Sequence, residues 1–425
     1  MTRSPPPSAQ LPGTAGHARA LYGRALAWHR EGRGDAAAQT LLELLARWPR
    51  EVDAMSLLAA VEAQRGRPAE AERLLRNALA LQPQRATLHH NLGNALAAQG
   101  RMEEALACFE RSLALRPDYP PTRVNIARAL QALGRVDDAL AAIDAALAAS
   151  PASADALMIR AGLLAEQARR PGADAMAHAR AVQAYRRAEA EGVDADMVRY
   201  ALAALGTGEA PPTSPAQYVR QLFDRYAPRF DEHLRDRLNY RVPELLVAAA
   251  LAQVGPEAVG ADAARPGLAV VDLGCGTGLC GPLLRPTASR MVGVDLSARM
   301  LEGAAARGYD ELVCADAVTY LDGQPAASFD LVLAADVVVY IGDIGPLAVA
   351  VRRALRPGGM FALSTEPHDG NGYQLQPSRR YAHADAYVDA VARAQGLEPV
   401  ARHREVLREE HGTPVEGVLH VLRRA

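Results

Sequence analysis

The first half of the chain repeats itself every 34 residues, and this period constrains the fold more than any other feature of the sequence. Three residue types share the period, namely a glycine, an alanine and a proline. The glycine permits a turn with positive φ, the alanine lets two helices approach closely, and the proline ends the second helix. The period therefore predicts stacked pairs of helices. Its members are Gly32, Gly66, Gly100 and Gly134; Ala37, Ala71, Ala105 and Ala139; and Pro49, Pro83, Pro117 and Pro151.

These units resemble the tetratricopeptide repeat (TPR) family, whose 34-residue unit is a helix-turn-helix. The best match is residues 86–119, which contain NLGNALAAQGRMEEALACFERSLALRP. A fifth unit begins near Ala154 and is interrupted by RRPGADAMA, and a helix over about 194–205 is expected to cap the array. The resemblance implies an all-α superhelix over residues 18–206. The other complete units are 18–51, 52–85 and 120–153.

The resemblance also implies a protein or peptide partner, because the concave face of a TPR array usually binds peptide segments. Asn91 and Asn125 occupy equivalent positions of adjacent repeats, as do Asn94 and Arg128. These side chains could form a polar ladder that holds a peptide backbone, or they could be common residues at those positions. The repeats therefore predict an interaction module and leave the partner open.

Composition excludes several functions. The sequence contains no lysine, so neither a Walker A phosphate loop nor a Schiff-base enzyme is compatible with it. The formal net charge is -2, from 47 basic and 49 acidic residues, which gives no overall field to attract nucleic acid or an anionic membrane. The four cysteines have no zinc-ligand spacing, so we expect no metal site and a reducing compartment.

The N-terminus is rich in proline, serine and glycine and has no apolar core of the kind a signal peptide needs. We therefore expect residues 1–17 to be disordered. No apolar run approaches the roughly 20 residues that a membrane-spanning helix requires. These features predict a soluble, cytoplasmic protein.

A change of pattern marks a second domain. LGTGEAPPTSP is typical of a domain boundary, and we expect a linker over 207–217 and the second domain over 218–425. Short apolar strands then alternate with helices, which predicts an α/β fold with a parallel sheet. The last two strands, near 398–407 and 416–423, alternate like an antiparallel pair.

The strongest of these strands, LAVVDLGCGTG, ends in an acidic residue and a glycine-rich turn. In a doubly wound sheet such turns lie at the carboxyl ends of the strands, where ligands bind. Asp295 follows Gly274 by 21 positions, a spacing suited to a ribose-binding carboxylate. The third small residue of a nicotinamide fingerprint would fall at Leu279. The pattern therefore favours S-adenosylmethionine (SAM) over a nicotinamide dinucleotide.

The second half resembles the class I SAM-dependent methyltransferases through this loop, the acidic strand ends and the Pro357-Gly358-Gly359 turn. The resemblance implies a Rossmann-like sheet of seven strands. It implies that the loop holds the methionine end of SAM and that the following strand ends bind the ribose and adenine. Each aspartate could instead be a cap or turn residue. The implied cofactor-binding residues are Asp272, Gly274, Cys275, Gly276 and Gly278; Asp295 and Leu296; and Asp316 and Ala317.

Methyl transfer from a sulfonium needs alignment and desolvation more than it needs a catalytic side chain. By the same resemblance Asp336 would lie near the sulfonium or the substrate. The segment EPHDGNGYQLQPSRRYAH is polar and glycine-rich, and it lies where such enzymes usually build the substrate pocket. Its candidates for a base or a substrate contact include His368, Tyr381 and His383.

The whole chain is similar to a group of bacterial predicted methyltransferases that carry TPR repeats. The likeness includes LFDRYAPRFDEHLRDRLNYRVPELL. In related methyltransferases this segment commonly forms a lid, which here would place Tyr226, Phe230 and Tyr240 near SAM; the alternative is a plain packing helix. We expect a methyltransferase that acts on a small molecule or a protein-borne group, with the repeats recruiting a partner. The alternative is a TPR scaffold with a vestigial methyltransferase domain. A nucleic-acid substrate is disfavoured, since the sequence has no basic stripe.

Overall fold

A computed structural model describes residues 14–227, 230–236, 238–254, 267–410 and 412–425. The contacts divide the chain into two compact units, Met1–Ala184 and Tyr185–Ala425. The predicted disordered residues 1–13 lie outside the described part of the chain, and residues 14–17 already belong to the first helix.

The first unit is an array of helical hairpins, as predicted for TPR repeats. The interruption in the fifth repeat falls between its two helices, and the second of these crosses the boundary of the unit. The helices are α1 Thr14–Arg30, α2 Gly34–Arg47, α3 Val52–Gln64, α4 Pro68–Leu81, α5 Ala86–Ala98, α6 Met102–Leu115, α7 Pro120–Ala132, α8 Val136–Ala149, α9 Ala154–Ala168 and α10 Ala177–Ala190.

The repeated residues have the physical roles that their types predict. The four periodic glycines have φ between 73° and 79°, a region that glycine enters without steric cost. The four periodic alanines, which lie early in the second helices, are 0% exposed. Only a methyl group fits at these points, because the neighbouring helices pack against each other there.

The second unit contains a twisted sheet whose central strands are parallel. The order β3-β2-β1-β4-β5 continues through β9 to β8, and β9 is antiparallel to both of its neighbours. These seven strands confirm the predicted fold class. The strands are β1 Leu268–Leu273, β2 Ala288–Asp295, β3 Glu311–Cys314, β4 Phe329–Ala334, β5 Leu355–Pro367, β6 Tyr373–Leu375, β7 Tyr381–His383, β8 Leu397–Glu410 and β9 Thr413–Arg424.

Helices cover both faces of this sheet and bury two apolar clusters. One cluster joins strand residues such as Val271 and Phe361 to Val351, and the other joins Val270 and Leu331 to Leu246. Burial on both faces explains why the central strands read as continuous apolar runs. The helices are α11 Ala195–Ala204, α12 Ala216–Tyr226, α13 Phe230–Asp236, α14 Val242–Leu251, α15 Gly281–Leu284, α16 Ala298–Ala304, α17 Ala317–Asp322, α18 Gly345–Ala354 and α19 Asp385–Ala394.

The remaining two strands form a small hairpin that the sequence analysis does not predict. Strand β7 pairs in parallel with the end of β5 and antiparallel with β6. Helix α11, which was expected to cap the repeats, belongs to the second unit, where Tyr200 and Ala203 pack with Leu375 and Tyr381 of the hairpin.

Residues 211–216, which we name the strap, lie in the segment expected to be a linker. The Tyr381 hydroxyl donates a hydrogen bond of 2.6 Å to the carbonyl oxygen of Pro211. The carbonyl oxygen of Pro212 accepts a bond of 2.9 Å from the Gly342 amide. These bonds hold the strap against the rest of the second unit.

Candidate cofactor and acceptor site

The order of the strands reverses between β1 and β4, which makes this position the topological switch point of the sheet. A cavity of about 820 Å³ lies within the second unit around the carboxyl ends of these strands. It is lined by the glycine-rich loop, by the ends of β2 and β4, by α12 and α13, and by the strap. Of the predicted cofactor-binding residues, the cavity is lined by Asp272, Gly274, Cys275, Gly276, Asp295, Leu296, Asp316 and Ala317.

The glycine-rich loop follows β1 in a conformation that requires glycine. Gly274 has a φ of +62°, and a Cβ there would lie 2.5 Å from Cγ2 of Val337. Gly278 has a φ of +87°, and a Cβ there would lie 2.8 Å from the ring of Tyr309. Gly278 is not among the residues that line the cavity, so its contribution is to the packing beneath the loop.

Asp295 ends β2 and fixes the loop from the side. Its Oδ2 accepts a hydrogen bond of 3.0 Å from the Gly276 amide, and its Oδ1 accepts one of 2.8 Å from the Ser297 amide. Burial raises the pKa of this carboxyl, and the backbone donors oppose that shift. Because each carboxylate oxygen can accept more than one hydrogen bond, this side chain can also receive ribose hydroxyls.

Asp272, at the end of β1, is 1% exposed. Its Oδ2 accepts a hydrogen bond of 2.6 Å from the Tyr309 hydroxyl, and the Cys280 thiol is a further hydrogen-bond neighbour of the carboxyl, whereas no N–H or O–H donor among the described residues reaches its Oδ1. Burial raises the pKa of Asp272 to about 7, and the nearby charge of Asp295 adds to the shift. A buried carboxylate with an unused oxygen on a cavity wall suits a cationic group of a ligand.

Asp316 is exposed and caps helix α17. Its Oδ1 accepts a hydrogen bond of 3.0 Å from the Thr319 amide. The alternative role as a helix cap is therefore present, while the residue also lines the cavity beside Leu296 and Ala317.

Helices α12 and α13 are attached to the opposite wall by polar contacts. The Ser297 hydroxyl donates a hydrogen bond of 2.6 Å to Asp224, and the Thr277 hydroxyl donates one of 2.5 Å to Asp231. The ring of Phe230 lies above the loop, 3.6 Å from where a Cβ of Gly276 would be. Tyr226, Phe230 and Tyr240, the predicted lid residues, line the cavity.

A group of charged side chains lies at the end of β4. Asp336 has a φ of 54°, and its Oδ1 accepts a hydrogen bond of 3.0 Å from the Ser364 hydroxyl. Its Oδ2 lies 3.9 Å from Nη2 of Arg380 and 3.8 Å from Nη1 of Arg408. All three of these charged residues line the cavity.

The three catalytic candidates from the polar segment, His368, Tyr381 and His383, do not line the cavity. His383 is 0% exposed, and its Nε2 lies 2.8 Å from the carbonyl oxygen of Ile341, so this nitrogen donates a hydrogen bond there. Burial lowers the pKa of this imidazole. Tyr381 is also buried and holds the strap, and Nε2 of His368 lies 3.2 Å from the carbonyl oxygen of Gly372. Of the four predicted catalytic candidates, the structure places only Asp336 on the cavity wall.

Comparisons with protein families agree with both halves of this description. The tetratricopeptide repeat family matches residues 51–118 and 84–150, and a second repeat family matches 15–52 and 124–196. A methyltransferase domain family matches residues 271–363. The chain is therefore a TPR-repeat protein with a methyltransferase domain. The order of the strands gives that domain the class I methyltransferase fold.

Solved structures that are similar to parts of the chain are distant from it in sequence. A Burkholderia thailandensis 1,6-didemethyltoxoflavin-N1-methyltransferase with bound S-adenosylhomocysteine is 18% identical, with a TM-score of 0.37, and the match covers 51% of this chain and 93% of that one. A Thermotoga maritima SAM-dependent methyltransferase, described as a possible histamine N-methyltransferase, is 17% identical with a TM-score of 0.36, covering 49% and 100%. The MamA protein is 18% identical with a TM-score of 0.37, covering 43% and 93%. The search of curated proteins found no match.

None of the helices in the described part of the chain combines the length and the hydropathy needed to span a membrane. Within the same residues, no cluster of three or more His, Cys, Asp or Glu side chains could hold a metal ion.

Several residues of the site have no signal in the sequence analysis. Tyr309 was not singled out, although its hydroxyl is the hydrogen-bond partner of Asp272. Asp224 and Asp231 are part of an amphipathic helical pattern, in which acidic residues usually face solvent. Arg408 lies in the middle of an alternating strand pattern, and its contact with Asp336 depends on how distant strands meet.

Proposed function

We propose that the second unit binds SAM and transfers its methyl group to an acceptor held in the same cavity. The acceptor is a small molecule or a protein-borne group, and the TPR repeats serve as a protein-interaction arm. The observation that carries this proposal is a cavity of about 820 Å³ whose wall contains two groups of charged side chains. One group is Asp272, Asp295 and Asp316, and the other is Asp336 with Arg380 and Arg408.

The residues of the first group fit SAM. The unused oxygen of buried Asp272 suits the ammonium of the methionine part, and Asp295 suits the ribose hydroxyls. Gly274 lines the cavity with its backbone alone, because a side chain at this position would collide with Val337. SAM, when bound, supplies an activated methyl group on a sulfonium.

The protein's own residues would orient SAM and shield the reacting atoms from water. Asp295 holds the loop and the ribose site in one arrangement, because both of its oxygens already accept backbone amides. Helices α12 and α13, attached through Asp224 and Asp231, would exclude water from the reacting atoms. Asp336, at the end of β4, is the candidate for contact with the sulfonium or the acceptor. We assign no acceptor contact to His368, Tyr381 or His383, since none of them lines the cavity.

The decisive test uses the purified full-length protein, tritium-labelled SAM and a cell lysate that is separated into protein and small-molecule fractions. We expect label to appear in one fraction and to be absent with an Asp295→Ala variant. Label in a protein band would support the repeats as a docking arm for the substrate. SAM binding by calorimetry without any transfer would contradict catalysis and support the alternative, a scaffold with an inactive methyltransferase domain.

The affinity for S-adenosylhomocysteine, the product that SAM leaves, should depend on pH through Asp272. The pKa of this carboxyl is about 7 without ligand, so the residue is largely protonated at pH 6 and ionised at pH 8. A cationic ligand ammonium favours the ionised form, so binding releases a proton and tightens as pH rises. We expect the dissociation constant to fall about tenfold between pH 6 and 8.

Calorimetry in buffers of different ionisation enthalpy would measure that proton release. The Asp272→Asn variant keeps the side-chain shape but cannot titrate, so its affinity should vary much less over the same range. An equally steep pH dependence in this variant would show that another group is responsible.

A further inference from the structure

Arg380 and Arg408, which we name the arginine pair, lie beside Asp336 on the cavity wall. Arg380 immediately precedes β7 and Arg408 lies in β8, so the two reach the cavity from separate elements. Their guanidiniums converge on the same oxygen of Asp336, at 3.9 and 3.8 Å. The side chain of Arg408 is only 4% exposed.

Glu366 holds the arginine pair from behind. Its Oε1 lies 2.5 Å from Nη2 of Arg408 and 3.3 Å from Nε of Arg380. Glu366 does not line the cavity, whereas both arginines do. One carboxylate behind the cavity wall therefore fixes both guanidinium groups, and both arginines form part of the cavity surface.

Burying two guanidinium groups in a cavity wall has a high cost in free energy. Removing a charged group from water costs several kcal/mol in real proteins, and well-packed apolar residues in the place of a buried ion pair are often as stable. The cavity already has apolar walls elsewhere, including Leu238 and Ile341. Two arginines on the cavity surface are better explained by recognition of a ligand than by stability.

The guanidinium group selects the kind of ligand. Its planar fork of N–H donors matches a carboxylate, with two parallel hydrogen bonds. An acceptor that carries an ammonium group would instead meet two fixed groups of its own charge. Tyr240 and Tyr340 also line the cavity, close enough to the arginine pair for its charges to influence their pKa values. Burial raises the pKa of both phenols, that of Tyr340 to about 12. Both rings therefore offer neutral, partly apolar surface for the body of the ligand.

We propose that the methyl acceptor is a small organic acid whose carboxylate binds to Arg380 and Arg408, with its body against Tyr240 and Tyr340. This inference rests on the proposed methyl transfer and names the class of its substrate. The charges support the arrangement. Asp336 and Glu366 lie against the arginine pair, and the positive charge that SAM would bring offsets the added negative charge of the acid.

The test measures binding of acids to the full-length protein saturated with S-adenosylhomocysteine. The probes are benzoate, phenylacetate, cinnamate and octanoate, each compared with its own primary amide, and the readout is ligand-observed NMR with titration. We expect at least one acid to bind 10-fold or more tightly than its amide. The Arg380→Met variant should lose roughly 10- to 100-fold of that affinity, as expected for hydrogen bonds to a charged group.

Arg402→Met is the matched control, because Arg402 lies on the same strand as Arg408, pairs with Asp389 and does not line the cavity. It should bind the acids as the unmodified protein does. Binding of S-adenosylhomocysteine in each sample shows that the site is folded. Failure of the unmodified protein to bind S-adenosylhomocysteine would contradict the proposed function. Binding of it, with no acid preferred to its amide or with the preference intact in Arg380→Met, would overturn the acid inference alone.

Discussion

Replacement of Asp295 by alanine should weaken the binding of S-adenosylhomocysteine by roughly 100-fold or more. The variant would lose the proposed acceptor for the ribose hydroxyls, and hydrogen bonds to a charged group contribute about 1.5–3 kcal/mol each. It also leaves the Gly276 and Ser297 amides without their present partner, so the glycine loop loses a lateral support. Both losses act on the same site, so both should raise the measured dissociation constant.

Isothermal titration of the purified protein would measure this effect. Asp316→Ala is the comparison, since Asp316 lies at the neighbouring strand end but is exposed and caps a short helix. We expect its loss to stay within about tenfold, because hydrogen bonds in water-exposed positions contribute less. Equal losses in the two variants, or an unchanged affinity in Asp295→Ala, would contradict the assignment of the ribose site.

Replacement of Gly274 by alanine should destabilise the second unit and abolish tight cofactor binding. A non-glycine residue with φ near +62° costs about 1–2 kcal/mol. The new Cβ would also lie 2.5 Å from Cγ2 of Val337, and overpacking of this kind costs about 1–3 kcal/mol more. The measurement is the free energy of unfolding from denaturant titration, together with the affinity for S-adenosylhomocysteine.

Gly358→Ala separates the two contributions. Gly358 has a φ of +76° and nothing within 4 Å of a built Cβ, so this variant should show the backbone cost alone. The double variant Gly274→Ala, Val337→Ala should recover part of the loss, because the collision is with the side chain of Val337. If Gly274→Ala were no less stable than Gly358→Ala, the close contact beneath the loop would not exist in solution.

The features that the sequence predicts correctly depend on local chemistry. A periodic glycine or alanine has the same task in every TPR unit, so Gly66 and Ala71 can be interpreted from spacing alone. The same holds for the loop after β1, where an apolar run, an aspartate and three glycines are contiguous in the chain. Asp295 lies beside this loop because β1 and β2 are neighbouring parallel strands, which end at the same edge of the sheet.

The features that the sequence analysis missed depend on contacts between distant segments. Asp336, Glu366, Arg380 and Arg408 belong to four separate stretches of the chain. The pairing of β4 with β5 brings Asp336 to Glu366, and the pairing of β5 with β7 and β9, and of β8 with β9, brings the two arginines there. His383 illustrates the reverse error. Its polar, glycine-rich surroundings suggested a substrate pocket, yet the hairpin buries the imidazole against two backbone carbonyls.

The strap has a practical consequence for anyone who wishes to move the methyltransferase domain between proteins. A fragment that begins at residue 218 would keep every strand of the sheet and the whole glycine loop, and its sequence would still match the family over 271–363. It would lack Pro211 and Pro212, which line the cavity and whose carbonyls bond to Tyr381 and Gly342. Exchange experiments should therefore treat the segment before the recognisable domain as part of the methyltransferase domain, with the exchange point placed upstream of helix α11.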